Sequence, residues 1–166
     1  MIPRELRTER LLLRQWRDGD AEALERIYTH PEFLEQMPYR DPHEQVQRFT
    51  QEWRDEGFSV WAAEALATGE LIGRIGLLRH HDWPESPSPV EVGWALHRDC
   101  WGRGLATEGG RAGLECWRAH LDDPQLISIT TPANRRSRAV MERLGLTLRG
   151  ETHWHEHDVI WYALDR

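Results

Sequence analysis

The chain has 166 residues, of which 39% are hydrophobic and 30% charged, and a formal net charge of −7. This length suits one domain that buries roughly two-thirds of the surface of its unfolded chain. No segment approaches the ~20 apolar residues of a membrane span, and residues 1–10 are too polar for a secretory signal, so we expect a cytoplasmic protein. The acidic balance argues against nucleic acid and favours a cationic partner such as an amine.

The basic residues and the cysteines exclude two further classes of protein. All 21 basic residues are arginine, which excludes a Walker-type phosphate loop because that loop needs a lysine. Cys100 and Cys116 fall near the two ends of one predicted helix, about 20 Å apart, which is too far for a disulfide. We therefore expect a reduced intracellular protein with two free thiols.

Taken in chain order, the pattern first predicts one strand and three helices. A leucine-rich strand covers residues 9–16. Asp18 can cap a helix that runs through about residue 30. Proline at the first helical position opens the other two helices, over residues 31–37 and 41–55.

The rest of the chain alternates strands with two longer helices. Strands are predicted over residues 58–67, 71–79, 90–97, 126–131, 146–153 and 158–164, and helices over residues 102–120 and 134–145. A Thr68-Gly69 turn joins the first two of these strands, and a proline-rich loop over residues 80–89 precedes the third. We therefore predict one domain over residues 1–166, a mixed α/β sheet with helices packed on both faces.

The most informative segment joins the strand over residues 90–97 to the next helix. It reads Trp101-Gly102-Arg103-Gly104-Leu105-Ala106-Thr107. Glycines let the backbone approach a ligand, and a helix start presents unpaired N–H groups at the positive end of the helix dipole. The segment therefore suits a phosphate group.

Three interpretations of this turn compete. A dinucleotide site would need a third glycine, where Thr107 stands, and an acid at the end of the next strand, which instead ends Thr130-Thr131-Pro132. A tight turn of purely structural role is the second interpretation, since glycines alone do not require a ligand. The third is a site for the pyrophosphate of coenzyme A.

Several blocks of sequence in a particular order favour the third interpretation. They are TERLLLR (residues 8–14), TGELIG (68–73), EVGW (91–94), WGRGLATE (101–108), NRRS (134–137) and MERLGL (141–146). Together they resemble the GNAT superfamily of acyl-CoA transferases, specifically the branch of the ribosomal-protein N-acetyltransferases. The resemblance covers nearly the whole chain.

The resemblance implies a fold and a reaction. The GNAT fold has a central mixed, mostly antiparallel twisted sheet of about seven strands with helices on both faces. Acetyl-CoA would be the cosubstrate, and its acetyl group would pass by direct attack in a ternary complex to a primary amine, either a protein N-terminus or a small molecule. No metal, nucleic acid or membrane is implied, and a homodimer is compatible with the family. The alternative is a non-catalytic module that binds or senses acyl-CoA.

The resemblance also implies which residues bind the cosubstrate. The backbone amides of Arg103, Gly104, Leu105, Ala106 and Thr107 would hold the pyrophosphate, although Trp101 stands where the family motif has Gln or Arg. Main-chain groups of Leu96 and His97 would pair with the pantetheine arm like an added strand. Asn134 and Ser137 would meet the arm and its thiol end from the other side.

Acetyl transfer needs a base for the amine, donors for the oxyanion and a proton for the leaving thiolate. Glu91 is the candidate base, directly or through a water, and a carboxylate that only orders water or pairs with an arginine is the alternative. Many family members have a tyrosine acid where this chain has Met141, whose thioether cannot donate a proton. Ser137 is the candidate substitute, and a serine bonded only to its own helix is the alternative. A backbone N–H near residues 94–96 would stabilise the oxyanion.

The remaining polar residues carry weaker expectations. His153, His155 and His157 alternate, which could make a metal site on one continuous strand, but we expect them to span the turn between the last two strands and face solvent. His80 and His81 begin the proline-rich loop and are assigned no role. Glu108 and Arg111 are expected to pair on one helix. Residues 31–56 and 80–89 are expected to shape the acceptor pocket.

Overall fold

Eight strands and five α-helices make up the computed structural model, which describes all 166 residues. The strands are β1 Leu6–Arg7, β2 Leu11–Arg14, β3 Val60–Ala65, β4 Leu71–Arg79, β5 Val90–Leu96, β6 Gln125–Thr130, β7 Thr147–Trp154 and β8 His157–Asp165. The helices are α1 Asp20–Tyr28, α2 Pro31–Leu34, α3 Pro42–Asp55, α4 Leu105–His120 and α5 Arg135–Arg143, with a 3-10 turn at Arg98–Cys100. None of the helices combines the length and the apolar character of a membrane span.

One sheet contains all the strands, in the order β1-β2-β3-β4-β5-β6-β8-β7. Only β5 and β6 pair in parallel, so the mixed and mostly antiparallel sheet is confirmed. The sheet has eight strands rather than about seven, because residues 6–7, which precede the predicted leucine-rich strand over residues 9–16, form a further short strand that pairs with it as a hairpin. In that hairpin Leu6 pairs with Leu13.

The start of α3 follows the prediction, and the start of α1 does not. Asp41 accepts hydrogen bonds from the amides of His43 and Glu44, at 2.8 and 3.1 Å, and so caps α3 as a helix that opens on proline should be capped. The expected cap of the first helix, Asp18, is wrong. Gly19 is the residue before α1, and no side chain caps this helix.

Helices cover both faces of the sheet, as predicted. Helix α4 packs closely on one face, since a Cβ added to its Gly109 would lie 2.5 Å from Cδ1 of Ile75 in β4. Helices α1 to α3 cover the opposite face, where the Arg74 side chain of β4 donates to the Tyr28 hydroxyl of α1 at 3.2 Å. Along β4 and β5, alternate side chains therefore face different helices.

The sheet opens between β5 and β6. These strands pair only at Val90 with Leu126 and at Glu91 with Ile127. The Ser128 hydroxyl donates to the Val92 carbonyl at 2.8 Å just beyond the last pair, after which the strands diverge. A cleft therefore lies at the carboxyl ends of two parallel strands, where open α/β sheets bind ligands.

Candidate active site

The turn before α4 presents a row of backbone amides without acceptors. The amide groups of residues 102–107 make no hydrogen bond within the chain, and the first bond of the helix runs from Glu108 N to Gly104 O at 3.0 Å. Gly104 precedes the helix with φ of 77°, a conformation that glycine adopts without strain. The buried hydroxyl of Thr107 also has no partner. This arrangement suits an anion such as a pyrophosphate.

Contacts from the start of the chain hold this turn in place. The Glu108 carboxylate accepts hydrogen bonds from the Thr8 hydroxyl at 2.5 Å and from the Arg10 amide and Nε at 2.7 Å each. Nη1 of Arg10 donates to the Arg103 carbonyl at 2.8 Å. Glu108 therefore pairs with Arg10 rather than with Arg111, the partner expected from helical spacing.

These contacts set the ionisation of Glu108. Burial acts to raise the pKa of its carboxyl, but the hydrogen bonds from Thr8 and Arg10 outweigh burial and hold the pKa below its ordinary value. A carboxylate thus ties the amino-terminal hairpin to the first turn of α4.

A cavity of about 560 Å³, which we call the turn cavity, lies between this turn, the end of β5 and α5. Its lining includes Trp94, Leu96, Leu105, Thr107, Asn134 and Ser137. Its volume is in the range of small-molecule sites.

A second cavity, which we call the Glu91 cavity, lies across the cleft and has a volume of about 500 Å³. It is lined by residues of α3, β4, β6 and the turn between β7 and β8, as well as by Glu91. The two cavities share Gln36, Met37, Trp94, Asn134 and Ser137. A ligand in one cavity can therefore meet a ligand in the other at this common wall.

The open edge of β5 presents main-chain groups of two residues. The His97 amide donates to the Ile72 carbonyl at 2.7 Å, so in this antiparallel pair the main chain of His97 faces β4. By the same alternation Trp94 and Leu96 face the cleft. The Leu96 carbonyl accepts the Trp101 indole N–H at 2.9 Å. The main-chain groups that face the cleft therefore belong to Trp94 and Leu96, whereas the sequence predicts those of Leu96 and His97.

Glu91 lies at the wall of the Glu91 cavity, with its side chain only 13% exposed. Its Oε2 is 2.6 Å from Nε2 of His80, and its Oε1 accepts the Ile129 amide at 3.3 Å. Gly93 leaves space along the strand, since a Cβ there would lie 3.6 Å from Oε1. The carboxylate is thus oriented by three elements and borders the cleft.

The opposite wall comes from the start of α5. Asn134 caps this helix, and its Oδ1 accepts the Ser137 amide at 3.1 Å. Ser137 borders both cavities, and Met141, which is 1% exposed, borders only the Glu91 cavity. The Tyr162 hydroxyl is buried between Nε of Arg138 and the Glu142 carboxylate, at 3.2 Å from each.

The histidines near the carboxyl end span the turn between β7 and β8, as predicted. His153 lies 2.9 Å from Asp158, and His155 lies 2.9 Å from Asp82. The structure contains no group of three or more metal-binding side chains in suitable positions.

Comparison with known proteins decides the family. Residues 10–147 match the family described as Acetyltransferase (GNAT) domain. The chain belongs to the GNAT acetyltransferases. It is 30% identical over 148 residues to the protein YkkB of Bacillus subtilis. These aligned residues make up 84% of this chain and 83% of YkkB.

Solved structures extend this result. An acetyltransferase from Agrobacterium tumefaciens is 31% identical, with a TM-score of 0.84 over 100% of this chain and 96% of its own. A ribosomal-protein-S5-alanine acetyltransferase from Vibrio fischeri has a TM-score of 0.75 over 97% of this chain and 96% of its own, and at 16% identity the likeness is one of fold. The chain is therefore an acyltransferase rather than a non-catalytic binding module.

His80 is the residue of this GNAT acetyltransferase that sequence reasoning missed. It was assigned to an exposed loop, but its amide donates to the Pro89 carbonyl at 3.1 Å and prolongs the β4–β5 pairing by one residue. Leu78 pairs with Glu91, and alternation puts His80 on the same face as both. Side chains alternate between the two faces of the sheet along β4, and continuing this alternation one residue past Arg79 places His80 on the same face as Glu91.

Proposed function

We propose that the protein transfers the acetyl group of acetyl-CoA to a primary amine by direct attack in a ternary complex. The observation that carries this proposal is the common wall of the two cavities. One cavity lies under a row of unpaired amides and the other beside Glu91, so donor and acceptor can meet near Trp94 and Ser137.

Acetyl-CoA would bind in the turn cavity. The amides of residues 103–107 and the unpaired Thr107 hydroxyl are donors for the pyrophosphate oxygens. Trp94 and Leu96 would pair with the pantetheine arm as an added strand does. The Asn134 amide group and the Ser137 hydroxyl would face the arm from the other wall.

Glu91 would remove the amine proton, directly or through a water, because an ammonium has no lone pair for attack. The neutral amine then attacks the thioester carbonyl, the C–N bond forms and the C–S bond breaks. His80 would position the carboxylate through its 2.6 Å contact. Glu91 takes the first proton, from the ammonium, and the electron pair of the C–S bond leaves with sulfur. The second proton, which the nitrogen loses after the C–N bond has formed, passes to that sulfur and gives free coenzyme A.

Two further roles fall on the walls of the cleft. The N–H group of Trp94 faces the cleft at the common wall and would donate to the oxyanion, which leaves the Trp94 carbonyl and the Leu96 N–H for the pantetheine arm. Ser137 would hydrogen-bond the departing sulfur, since Met141 has no proton to give.

Thermal unfolding with and without acetyl-CoA, with coenzyme A and NAD for comparison, tests the donor. A ligand at about 100 times its dissociation constant adds roughly 2.7 kcal/mol, which raises the Tm by about 5–10 °C for a domain of this size. We expect this shift with both coenzyme A species and none with NAD. Release of free thiol on addition of an amine then tests the transfer. No shift at saturating acetyl-CoA would contradict the proposal.

A further inference from the structure

The Glu91 cavity is rich in positive charge, although the chain as a whole has a net charge of −7. Four arginines line it, namely Arg40, Arg48, Arg74 and Arg79, and its two acids are Asp82 and Glu91. Both acids are already engaged by histidines, at 2.9 Å for Asp82 and 2.6 Å for Glu91. The lining of this cavity therefore has more arginines than acids, although acids outnumber arginines in the chain as a whole.

The four arginines differ in their partners. Arg79 is neutralised by Asp123 at 2.8 Å and Glu56 at 3.3 Å. Arg48 has one distant carboxylate, that of Glu52 at 3.6 Å. Arg40 and Arg74 form no ion pair within the chain.

Arg74 is the most informative of them because it is 7% exposed. Its Nε donates to the Tyr28 hydroxyl at 3.2 Å, and no carboxylate contacts its guanidinium. A buried charge without a counter-ion is costly to the folded protein.

Two of these cations lie near the same aromatic ring. The guanidinium carbons of Arg48 and Arg74 lie 4.9 and 5.5 Å from the centroid of the same ring, that of Phe49. The Arg48 side chain is 45% exposed, yet partial loss of solvent around its guanidinium lowers the pKa; Glu52 opposes this effect, and the charges of Arg74 and Arg40 add to the lowering. An anion between these groups would relieve their repulsion and supply the missing counter-ion.

We infer that the Glu91 cavity binds a small amine that also carries a carboxylate or a phosphate, and that Arg74 and Arg48 hold this anionic group. The inference deepens the proposed function and rests on it. Arg74 pairs with Ala95 and Leu78 pairs with Glu91, so Arg74 and Glu91 are four positions apart on one face of the sheet, about 13 Å. Both side chains border the cavity, which places an amine at one end of a small molecule and its anionic group at the other. Polyamines, which lack such a group, do not fit this arrangement.

Matched pairs of amines test the inference by thiol release. The pairs are O-phosphoethanolamine with ethanolamine, and phenylalanine with phenylalaninamide, and spermidine is the cationic comparison. In at least one pair, we expect the member that carries the anionic group to have a kcat/KM about 10- to 100-fold higher than the member that lacks it, the range of one charge-assisted hydrogen bond. The pair that shows the preference distinguishes a phosphate from a carboxylate.

Substitutions test whether these two arginines cause the preference for amines with an anionic group. Arg74→Gln and Arg48→Gln should each bring the ratio of the two kcat/KM values toward one, while stabilisation by acetyl-CoA shows that each variant is folded. Arg118→Gln removes the same charge from an exposed arginine of α4 outside both cavities and should leave the ratio unchanged. Equal kcat/KM values within both pairs, or a preference that survives in both cavity variants, would overturn the inference.

Calorimetric titration separates this inference from the proposed function. The same amines are titrated into protein saturated with coenzyme A, so that binding is measured without turnover. Tighter binding of the anionic members, lost in Arg74→Gln, supports the anion site even if no thiol is released with any amine. Thiol release without any preference in rate or binding leaves the transferase proposal standing and rejects the anion site.

Discussion

Nε2 of His80 lies 2.6 Å from Oε2 of Glu91, and each of these side chains is less than 15% exposed. The contact joins the end of β4 to the start of β5, and the His80 ring packs edge-on against Trp154 with the centroids 4.8 Å apart. The histidine thus fixes one carboxylate oxygen while the Ile129 amide contacts the other. A base held in this way needs little reorganisation before it accepts a proton.

Replacement of Glu91 by glutamine should lower kcat by about 10²- to 10⁴-fold, because the amide cannot accept the amine proton. The shape of the side chain and its contact with the Ile129 amide can persist, so acetyl-CoA affinity should stay within about twofold. Steady-state thiol release with the best acceptor, together with the acetyl-CoA-induced Tm shift, measures both effects. Normal turnover in this variant would remove Glu91 from the mechanism.

His80 provides a comparison for that experiment. His80→Ala removes the contact with the carboxylate, whereas His80→Gln keeps a donor near it, so kcat should fall more in the alanine variant. Equal losses in both variants would show that the hydrogen bond to Glu91 does not matter for turnover and that the imidazole acts in another way.

Gly104→Val should abolish the Tm shift that acetyl-CoA produces. Gly104 has φ of 77°, which a β-branched residue adopts only with strain, and its amide lies in the row of unpaired donors. Gly57→Val is the matched control, since Gly57 has φ of 76° and lies outside both cavities. The control should lose stability but keep the acetyl-CoA shift. If the Gly104 variant also keeps it, the turn does not bind the cosubstrate.

Glu108→Gln should destabilise the protein at pH 7 by about 1–3 kcal/mol, since hydrogen bonds from Arg10 and Thr8 lose their charged acceptor. The pKa of Glu108 is lower in the folded protein than in the unfolded chain, so its contribution is complete above the unfolded value of about 4.3. The contribution is lost as the pH falls through the folded pKa.

Urea unfolding at several pH values checks this prediction. The difference in stability between the parent protein and Glu108→Gln should be constant near neutrality and shrink in acid. Glu115→Gln, an exposed change on the same helix, should show little effect at any pH. A difference that does not depend on pH would mean that packing, rather than charge, accounts for the loss.

Gly109→Ala and Gly113→Ala should have opposite effects on stability. A Cβ at Gly109 would lie 2.5 Å from Cδ1 of Ile75, and since Ile75 is fully buried its side chain would have to repack within the core, so we expect a loss of about 1–3 kcal/mol. A Cβ at Gly113 would meet its nearest neighbour at an ordinary 3.5 Å, so the better helix propensity of alanine should dominate. Equal effects in urea unfolding would contradict the close packing of α4 on β4.

The secondary structure was largely predictable because it depends on short-range features. The Thr68-Gly69 turn followed by an apolar run gave β4 with both of its ends correct, and Asp41 with Pro42 located the start of α3. The hairpin at Leu6 was missed because a strand of two residues leaves no periodicity to detect. The cap at Asp18 was wrong because the nearby Asp20 carboxylate binds Arg14 at 2.8 Å, and the chain enters the helix through Gly19 instead.

The sequence by itself determined the order of the elements and the turn before α4, because glycine conformation, helix starts and hydrophobic periodicity are local properties. Tertiary structure decided which side chains share the Glu91 cavity. Strand pairing brings His80 onto Glu91, and the packing of α3 on the sheet brings Arg48 to Arg74. A net charge of −7 favoured a cationic partner, yet four arginines line the cavity and two of them, Arg40 and Arg74, have no carboxylate partner. Net charge sums over the whole surface, whereas a ligand meets only the groups that folding gathers around it.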